Sequence, residues 1–224
     1  MTDDTTSDPH AEQPVLRAGP DAANARLTLI LVHGRGGTAR GMIDLAASLD
    51  LRDVACVAPQ AAQNTWYPYS FLAPITQNEP GLTSALGVLR GLVGGLDRAG
   101  ISSARIAWLG FSQGACLMLE FVARHARRYA AIAGLSGGVI GPPGTPRTYL
   151  GSLRGTPVFL GCSDVDAHIP LERVHETGAV FRALGAQVEE VIYPGMGHLV
   201  SDDEVRRVRA LLAPARGSGG TVEA

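Results

Sequence analysis

A serine flanked by glycines stands at residues 110–114, which read Gly-Phe-Ser-Gln-Gly. The pattern G-x-S-x-G is typical of a nucleophile elbow, a strained turn that lifts a serine above the end of a strand. The apolar residues 105–109 predict the strand, and the residues after the turn predict the helix that the elbow must join. We therefore predict that Ser112 is a nucleophile for acyl transfer.

A second match to the same pattern occurs at residues 134–138 and centres on Ser136. The prolines and glycines of residues 141–146 follow it and exclude a helix, so that no helix N-terminus is available to stabilise an oxyanion. We expect Ser136 to be a small residue that lines the loop beside the site.

A serine hydroxyl needs a base within hydrogen-bond reach and an acid that orients the base. Of the six histidines, His198 follows the serine in the chain and lies in a Pro-Gly-Met-Gly loop after the last predicted strand, so we predict it as the base. The other five are expected in a tail (His10), after the first strand (His33), beside the candidate acid (His168) and on solvated helix surfaces (His125, His175).

Two aspartates compete for the role of the acid. Asp164 and Asp166 both follow the strand predicted at residues 157–161, and their spacing does not choose between them. Either residue could instead form a turn or cap the helix that follows. The order Ser, Asp, His along the chain is that of α/β hydrolases.

An oxyanion hole needs two backbone N–H groups, each contributing about 3 kcal/mol to lowering the barrier. We predict that Gln113 supplies one of them and Arg35 the other, from the loop His-Gly-Arg-Gly-Gly-Thr at residues 33–38. This loop lacks the Lys-Ser/Thr end of a phosphate loop and does not match G-x-G-x-x-G. The Arg35 side chain could attract an anionic substrate group or simply be solvated, and the second interpretation is slightly favoured.

The elements that must position these residues alternate along the chain. Strand-sized apolar runs occur at residues 27–32, 54–58, 104–109, 130–135, 157–161 and 188–193, and amphipathic stretches separate them. Such alternation predicts an open, doubly wound and mostly parallel sheet with helices on both faces. Ser201 and Glu204 have the spacing of a capping box that begins the last helix. In such sheets the loops at the carboxyl ends of strands carry the functional groups.

Composition narrows the function further. The chain has 224 residues, 46% of them hydrophobic, and 19 Lys+Arg against 21 Asp+Glu, which argues against nucleic acid as a partner. We expect no membrane span and no signal peptide, and the odd, dispersed cysteines Cys56, Cys116 and Cys162 fit reduced thiols in the cytoplasm. One domain at residues 25–213 is predicted between flexible tails at 1–24 and 214–224.

At this point the sequence resembles the phospholipase/carboxylesterase family of α/β hydrolases, which includes lysophospholipases and acyl-protein thioesterases. The resemblance spans most of residues 26–212 and rests on the motifs at 31–37, 58–60, 110–115, 135–137, 166–170 and 193–198. It implies the α/β-hydrolase fold and hydrolysis of ester or thioester bonds with no cofactor and no metal. It also selects Asp166 as the acid, because Asp-Ala-His-Ile-Pro matches the family's Asp-x-x-Val/Ile-Pro segment.

Two segments depart from the family pattern. The usual His-Gly-Leu-Gly-Asp is His-Gly-Arg-Gly-Gly here, and residues 64–71 place aromatics after the second main strand. Both departures argue against an acyl-protein substrate. Trp66, Tyr67 and Phe71 are expected to wall an acyl or alcohol pocket, and the alternative for each is a place in the packed core or at a loop hinge. The short Pro/Gly-rich stretch at 139–156 leaves little sequence for a lid.

The sequence thus predicts a serine carboxylesterase that hydrolyses small to medium acyl esters through an acyl-enzyme. The alternatives are a lysophospholipase or acyl thioesterase, an enzyme like the dienelactone hydrolases, and a catalytically silent binding module. We expect a small-molecule ester as the substrate and a monomer or homodimer as the assembly.

Overall fold

The computed structural model describes residues 8–213. Seven strands form one sheet in the order β1-β3-β2-β4-β5-β6-β7, in which only β1 is antiparallel to its neighbour. The strands are β1 (Val15–Ala18), β2 (Leu27–Val32), β3 (Val54–Pro59), β4 (Ile106–Phe111), β5 (Ala131–Leu135), β6 (Pro157–Ser163) and β7 (Gln187–Tyr193). The helices are α1 (Ala39–Ser48), α2 (Gly81–Arg98), α3 (Gln113–Arg124), α4 (Leu171–Ala183) and α5 (Asp202–Leu212).

The helices cover both faces of this sheet, as the sequence predicts. Along β2, Ile30 packs in a cluster with α2, α3 and α4, whereas Leu29 and Leu31 pack in a cluster with α1 and α5. Successive side chains of a strand point to opposite faces, so a strand buried on both faces must be apolar throughout. All six residues of β2 are indeed buried.

The start of one strand differs from the prediction because of a local turn, whereas the cap of the last helix agrees with it. The strand expected at 104–109 is observed as β4 at Ile106–Phe111, since Ser103–Arg105 form a short 3₁₀ turn that Ser102 caps. The capping box of α5 is present: the Ser201 hydroxyl accepts from the Glu204 N–H, and the Glu204 carboxylate accepts from the Ser201 N–H.

The amino-terminal segment differs from the predicted tail. Val15–Ala18 pair with Cys56 to Pro59 of β3, and His10 is buried, with its Nε2 donating to the Trp66 carbonyl oxygen at 2.9 Å. A four-residue edge strand owes its conformation to pairing with a distant strand, which local periodicity does not reveal. The tail predicted at 214–224 lies outside the described residues, and the single domain at 25–213 stays a prediction.

The parallel strands bring the predicted site residues to one edge of the sheet. Because β2, β4, β6 and β7 all point the same way, the loops that follow them meet at their carboxyl ends. Between β5 and β6, residues 136–156 contain no helix. Within the described residues, no helix is both long enough and apolar enough to cross a membrane.

Candidate active site

Ser112 occupies a strained turn between β4 and α3. Its backbone lies at φ 54° and ψ −123°, a region that non-glycine residues rarely adopt, and its N–H donates to the Leu135 carbonyl oxygen at 2.9 Å. A β-carbon on Gly114 would overlap the carbonyl oxygens of Val32 and His33. The glycine therefore lets α3 begin directly against β2, with the serine hydroxyl held at the sheet edge.

Ser136, the centre of the second motif, is fully buried, and its hydroxyl has no hydrogen-bond partner. Its N–H donates to the Gly161 carbonyl oxygen at 2.7 Å, which fixes it between β5 and β6. It does not line a loop beside the site, contrary to the prediction, because residues 136–140 run inward and are buried.

His198 links the serine to a carboxylate. Its Nε2 lies 2.8 Å from Ser112 Oγ, and its Nδ1 lies 2.7 Å from Asp166 Oδ2. An ionised carboxylate only accepts hydrogen bonds, so Nδ1 carries the proton and Nε2 is free to accept from the serine hydroxyl. The imidazole also packs against the Phe111 ring, with the centroids 5.0 Å apart.

The loop that carries His198 turns through two glycines at positive φ, Gly195 at 68° and Gly197 at 78°. The Gly197 N–H donates to Ser163 Oγ at 3.0 Å, and the Gly195 N–H donates to Asp164 Oδ1 at 2.8 Å. The loop is thus tied to the end of β6 on both sides of the turn, which fixes the position of the imidazole.

The two candidate aspartates have separate roles in this geometry. The side chain of Asp166 is fully buried, and its Oδ1 accepts from the N–H groups of His168 at 2.8 Å and Ile169 at 3.1 Å. Burial alone would raise the pKa of Asp166, but the hydrogen bonds from His198 and the two backbone N–H groups outweigh it and lower the pKa. Asp164 is exposed and does not contact His198 in the described structure.

The loop after β2 is built on a buried histidine. His33 Nδ1 donates to the Gly34 carbonyl oxygen at 2.8 Å, while its Nε2 accepts from the Ala61 N–H at 3.0 Å. Burial lowers the pKa of His33, which keeps the ring neutral and able to make both bonds. Among the described residues, no acceptor is hydrogen-bonded to the backbone N–H of Arg35 or of Gln113.

The Arg35 side chain is exposed but is anchored to the aromatic segment. Its guanidinium donates to three successive carbonyl oxygens, those of Tyr67 at 2.9 Å, Pro68 at 2.9 Å and Tyr69 at 2.8 Å. These bonds form because the aromatic segment turns its backbone toward this loop, and the choice between an anion-attracting and a solvated side chain stays a prediction. These contacts have no sequence signal, since a main-chain carbonyl accepts in the same way from any residue type.

Gln113 binds the same segment through its buried side chain. Its Oε1 accepts from the Trp66 N–H at 3.0 Å, and its Nε2 donates to the Tyr67 carbonyl oxygen at 2.8 Å. Sequence reasoning selected Gln113 only for its backbone and missed this role. Asn78 anchors the far end of the segment by accepting from the Tyr69 N–H at 2.9 Å.

Of the three aromatic residues predicted to wall the pocket, two line a cavity beside Ser112 and one does not. Tyr67 and Phe71 line a cavity of about 370 Å³ that Ser112 and His198 also line. Trp66 does not line it: the indole is fully buried, packs against the His33 ring and donates from Nε1 to the His33 carbonyl oxygen at 2.8 Å. Trp66 therefore supports the loop after β2 instead of walling the pocket.

A second cavity of about 230 Å³ also borders the nucleophile. Ser112, His198 and Arg35 line both cavities, and the second is completed by residues of the β2 loop and by Met42 and Phe111. An ester has an acyl group on one side of its carbonyl carbon and an alcohol group on the other. Because Ser112 lines both cavities, one cavity can hold the acyl group and the other the alcohol group while the carbonyl carbon meets the serine. The described residues contain no cluster of three side chains suited to bind a metal ion.

Comparisons with known proteins identify the family of this chain. A family model described as Phospholipase/Carboxylesterase matches residues 19–214. The crystal structure of a phospholipase/carboxylesterase from Dyadobacter fermentans is similar at 40% identity and a TM-score of 0.87, over 90% of this chain and 97% of that one. An acyl-protein thioesterase 1 from Gibberella zeae is 26% identical over 86% of this chain and 92% of its own length.

More distant structures share the fold. The crystal structure of esterase PE8 is 24% identical, with a TM-score of 0.70 over 89% of this chain and 96% of that one. The family match covers most of the chain and includes the elbow, both loops and the aspartate segment. The chain belongs to the phospholipase/carboxylesterase family, has the α/β-hydrolase fold, and is a carboxylic ester hydrolase.

Proposed function

We propose that the protein is a serine carboxylesterase that cleaves small to medium acyl esters through a covalent acyl-enzyme. One observation carries this function: Asp166, His198 and Ser112 form a continuous chain of hydrogen bonds of 2.7 and 2.8 Å at the wall of an open cavity. This is the geometry in which a neutral imidazole removes the proton of an attacking hydroxyl.

In the first half of the reaction, Ser112 Oγ attacks the ester carbonyl carbon while its proton moves to His198 Nε2. The resulting oxyanion is stabilised by the N–H groups of Arg35 and Gln113, which have no acceptor in the described structure. Asp166 stays ionised and balances the charge of the imidazolium. His198 then gives its proton to the departing alkoxide, the C–O bond breaks, and the acyl group remains on Ser112.

In the second half, a water molecule attacks the acyl-enzyme and His198 Nε2 accepts the proton of that water. The tetrahedral intermediate collapses, His198 returns a proton to Ser112 Oγ, and the carboxylic acid leaves. The larger cavity lies near the lower end of the range of about 300–1,000 Å³ that is usual for small-molecule sites, which supports small to medium substrates.

The Ser112→Ala variant tests this function directly. We expect it to lower the kcat for p-nitrophenyl butyrate by at least about 10³-fold, because the nucleophile is removed. Ser136→Gly is the matched control: it removes the serine of the second motif, and glycine tolerates the positive φ of 47° found there. Circular dichroism should be unchanged in both variants.

A Ser112→Ala variant that keeps more than a tenth of the activity would exclude the assignment of the nucleophile. Labelling of the wild type by a fluorophosphonate, absent in Ser112→Ala, separates an active enzyme from a silent binding module. If the wild type is not labelled, the binding module is favoured.

A thioesterase is the second candidate, because curated relatives of this chain are named acyl-protein thioesterase 1. The same hydroxyl, base and oxyanion donors would cleave a thioester. A series of activated esters and thioesters of increasing acyl length, compared by kcat/KM, decides between the two substrate classes. A lysophospholipase predicts a maximum at long acyl chains, and a lactone panel tests the dienelactone alternative.

A further inference from the structure

The larger cavity beside Ser112 carries positive charge and no negative charge on its lining. Arg35 and His168 both line it, and none of the lining residues, all of which belong to the described part of the chain, is an aspartate or glutamate. Asp166 is the carboxylate of the reaction centre, and it is fully buried beneath His198. An anionic group in the cavity would therefore meet cationic and donor groups without facing a carboxylate.

The Arg35 guanidinium keeps its charge uncompensated. Arg147 and Arg173 each form an ion pair with Glu176, but no described carboxylate lies within ion-pair distance of Arg35. The carbonyl oxygens of residues 67–69 orient the guanidinium without cancelling its unit charge. A guanidinium has five N–H groups, so three bonds leave two donors for another acceptor.

The cation is also held in place before any ligand arrives. Its three acceptors belong to a segment that Gln113 and Asn78 fix from the other side. A fixed donor loses little conformational entropy on binding, so such a guanidinium can recognise a carboxylate or phosphate more effectively than a mobile surface arginine.

His168 supplies a second donor at the same cavity. Its ring is exposed and meets the His198 ring edge to face, with the centroids 4.7 Å apart. Its backbone N–H is fixed by Asp166 Oδ1 at 2.8 Å. An imidazole has at least one N–H in either protonation state, so His168 can donate to an anionic oxygen close to the reacting ester.

We infer that the natural substrate is an ester that carries an anionic group, such as a carboxylate, and that Arg35 and His168 bind this group in the larger cavity. The inference rests on the proposed esterase function and specifies its substrate class. The anionic group can belong to the acyl part, as in a monoester of a dicarboxylic acid, or to the alcohol part, as in an ester of a hydroxy acid.

Two pairs of substrates test the inference, each with a methyl group in place of the carboxylate in its neutral member. For the acyl side the pair is p-nitrophenyl monoadipate and p-nitrophenyl hexanoate. For the alcohol side the pair is meta-acetoxybenzoate and meta-tolyl acetate. We expect the ratio of kcat/KM, anionic over neutral, to exceed one in at least one pair, and to fall in concentrated salt because the attraction is screened.

Arg35→Gln should lower that ratio about tenfold, since a charge-assisted hydrogen bond is replaced by a neutral one. Arg35→Lys should retain most of the ratio because it keeps the charge. Arg40→Gln removes an exposed charge five residues away and is the matched control, with an unchanged ratio. A purely structural role of Arg35 would lower kcat/KM equally for both members of a pair and leave the ratio unchanged.

Ratios at or below one in both pairs of the wild type, or an unchanged ratio in Arg35→Gln, would overturn the inference. The wild-type ratios and their salt dependence decide the matter even if the glutamine variant fails to fold. Failure of the proposed function has a different signature, because the neutral esters would then not be hydrolysed in a Ser112-dependent manner.

Discussion

Asp166 is a buried carboxylate whose hydrogen bonds favour its ionised form. Three N–H groups, from His198, His168 and Ile169, donate to its two oxygens. Their hydrogen bonds outweigh the effect of burial and lower its pKa, which favours the ionised carboxylate. At the scale of single residues, the orientation and the tautomer of the proposed base therefore both depend on this one side chain.

Asp166→Asn should abolish most of the activity. An asparagine amide can donate to His198 Nδ1 and thereby favour the tautomer in which Nε2 holds the proton and cannot accept it from Ser112. We expect kcat to fall by about 10³–10⁴-fold, with little change in the circular dichroism. The measurement is the hydrolysis of p-nitrophenyl butyrate under saturating substrate.

Asp164→Asn is the matched control two residues away. The asparagine carbonyl can still accept from the Gly195 N–H, so the turn before His198 persists. We expect the kcat of this variant to stay within about threefold of the wild type, because His198 keeps its carboxylate partner. Equal losses in the two variants would mean that Asp166 is not the specific partner of His198.

At the scale of elements, β2, β4 and α3 lie closer together at the elbow than they could if Gly110 and Gly114 carried side chains. Gly114 begins α3 against the carbonyl oxygens of Val32 and His33, and Gly110 faces the Ala115 backbone at 2.8 Å from where a β-carbon would stand. Close approach places Ser112 next to the loop after β2, which holds the Arg35 N–H. The proposed oxyanion hole therefore depends on two glycines that line neither of the two cavities beside Ser112.

Gly114→Ala should destabilise the protein, since the added methyl group overlaps backbone atoms that cannot move aside. We expect the free energy of unfolding to fall by about 1–3 kcal/mol, measured by chemical denaturation. Gly91→Ala is the control, because this exposed glycine of α2 has no atom within 4 Å of an added β-carbon. There the alanine should stabilise by about 1 kcal/mol. A stable Gly114→Ala variant would contradict the tight elbow.

Local sequence patterns were sufficient for some elements and not for others. The six parallel strands and the elbow follow from apolar runs and a short motif, and the meeting of the loops follows from parallel topology. The side chains of Arg35 and Gln113 bind backbone carbonyls, and this kind of contact has no sequence signal. Trp66 was expected at the pocket wall and is buried instead, because an irregular loop has no periodicity that reveals which of its residues faces the core.

At the scale of the whole molecule, His33 contributes both to the stability of the fold and to the loop beside the active site. This buried ring connects the loop after β2 to residue 61 and packs at a tilt against Trp66, whose carbonyl oxygen accepts a hydrogen bond from His10. Protonation of Nε2 would remove the acceptor of the Ala61 N–H and place a charge in the interior. The fold therefore requires His33 to be neutral.

The free energy of unfolding should consequently fall below pH 6.5, the ordinary pKa of histidine. Burial lowers the pKa of His33 in the folded state, so the unfolded chain binds a proton first and stability is lost as the pH decreases. His33→Asn keeps a donor for the Gly34 carbonyl oxygen and removes the titration. Denaturation curves should show that this variant has a lower free energy of unfolding than the wild type at pH 7. Its free energy of unfolding should also depend less on pH between 7 and 5. An identical pH dependence in both proteins would contradict this role.

The strand β1 has a practical consequence for anyone who clones this gene. The family match begins at residue 19, just after Val15–Ala18, and a fragment started there would lose the outermost strand together with His10. The backbone of β3 would then present unpaired N–H and C=O groups that attract another polypeptide. Expression plasmids should keep the coding sequence from Asp8 onward, and shortened versions should be screened for self-association before any kinetic result is compared.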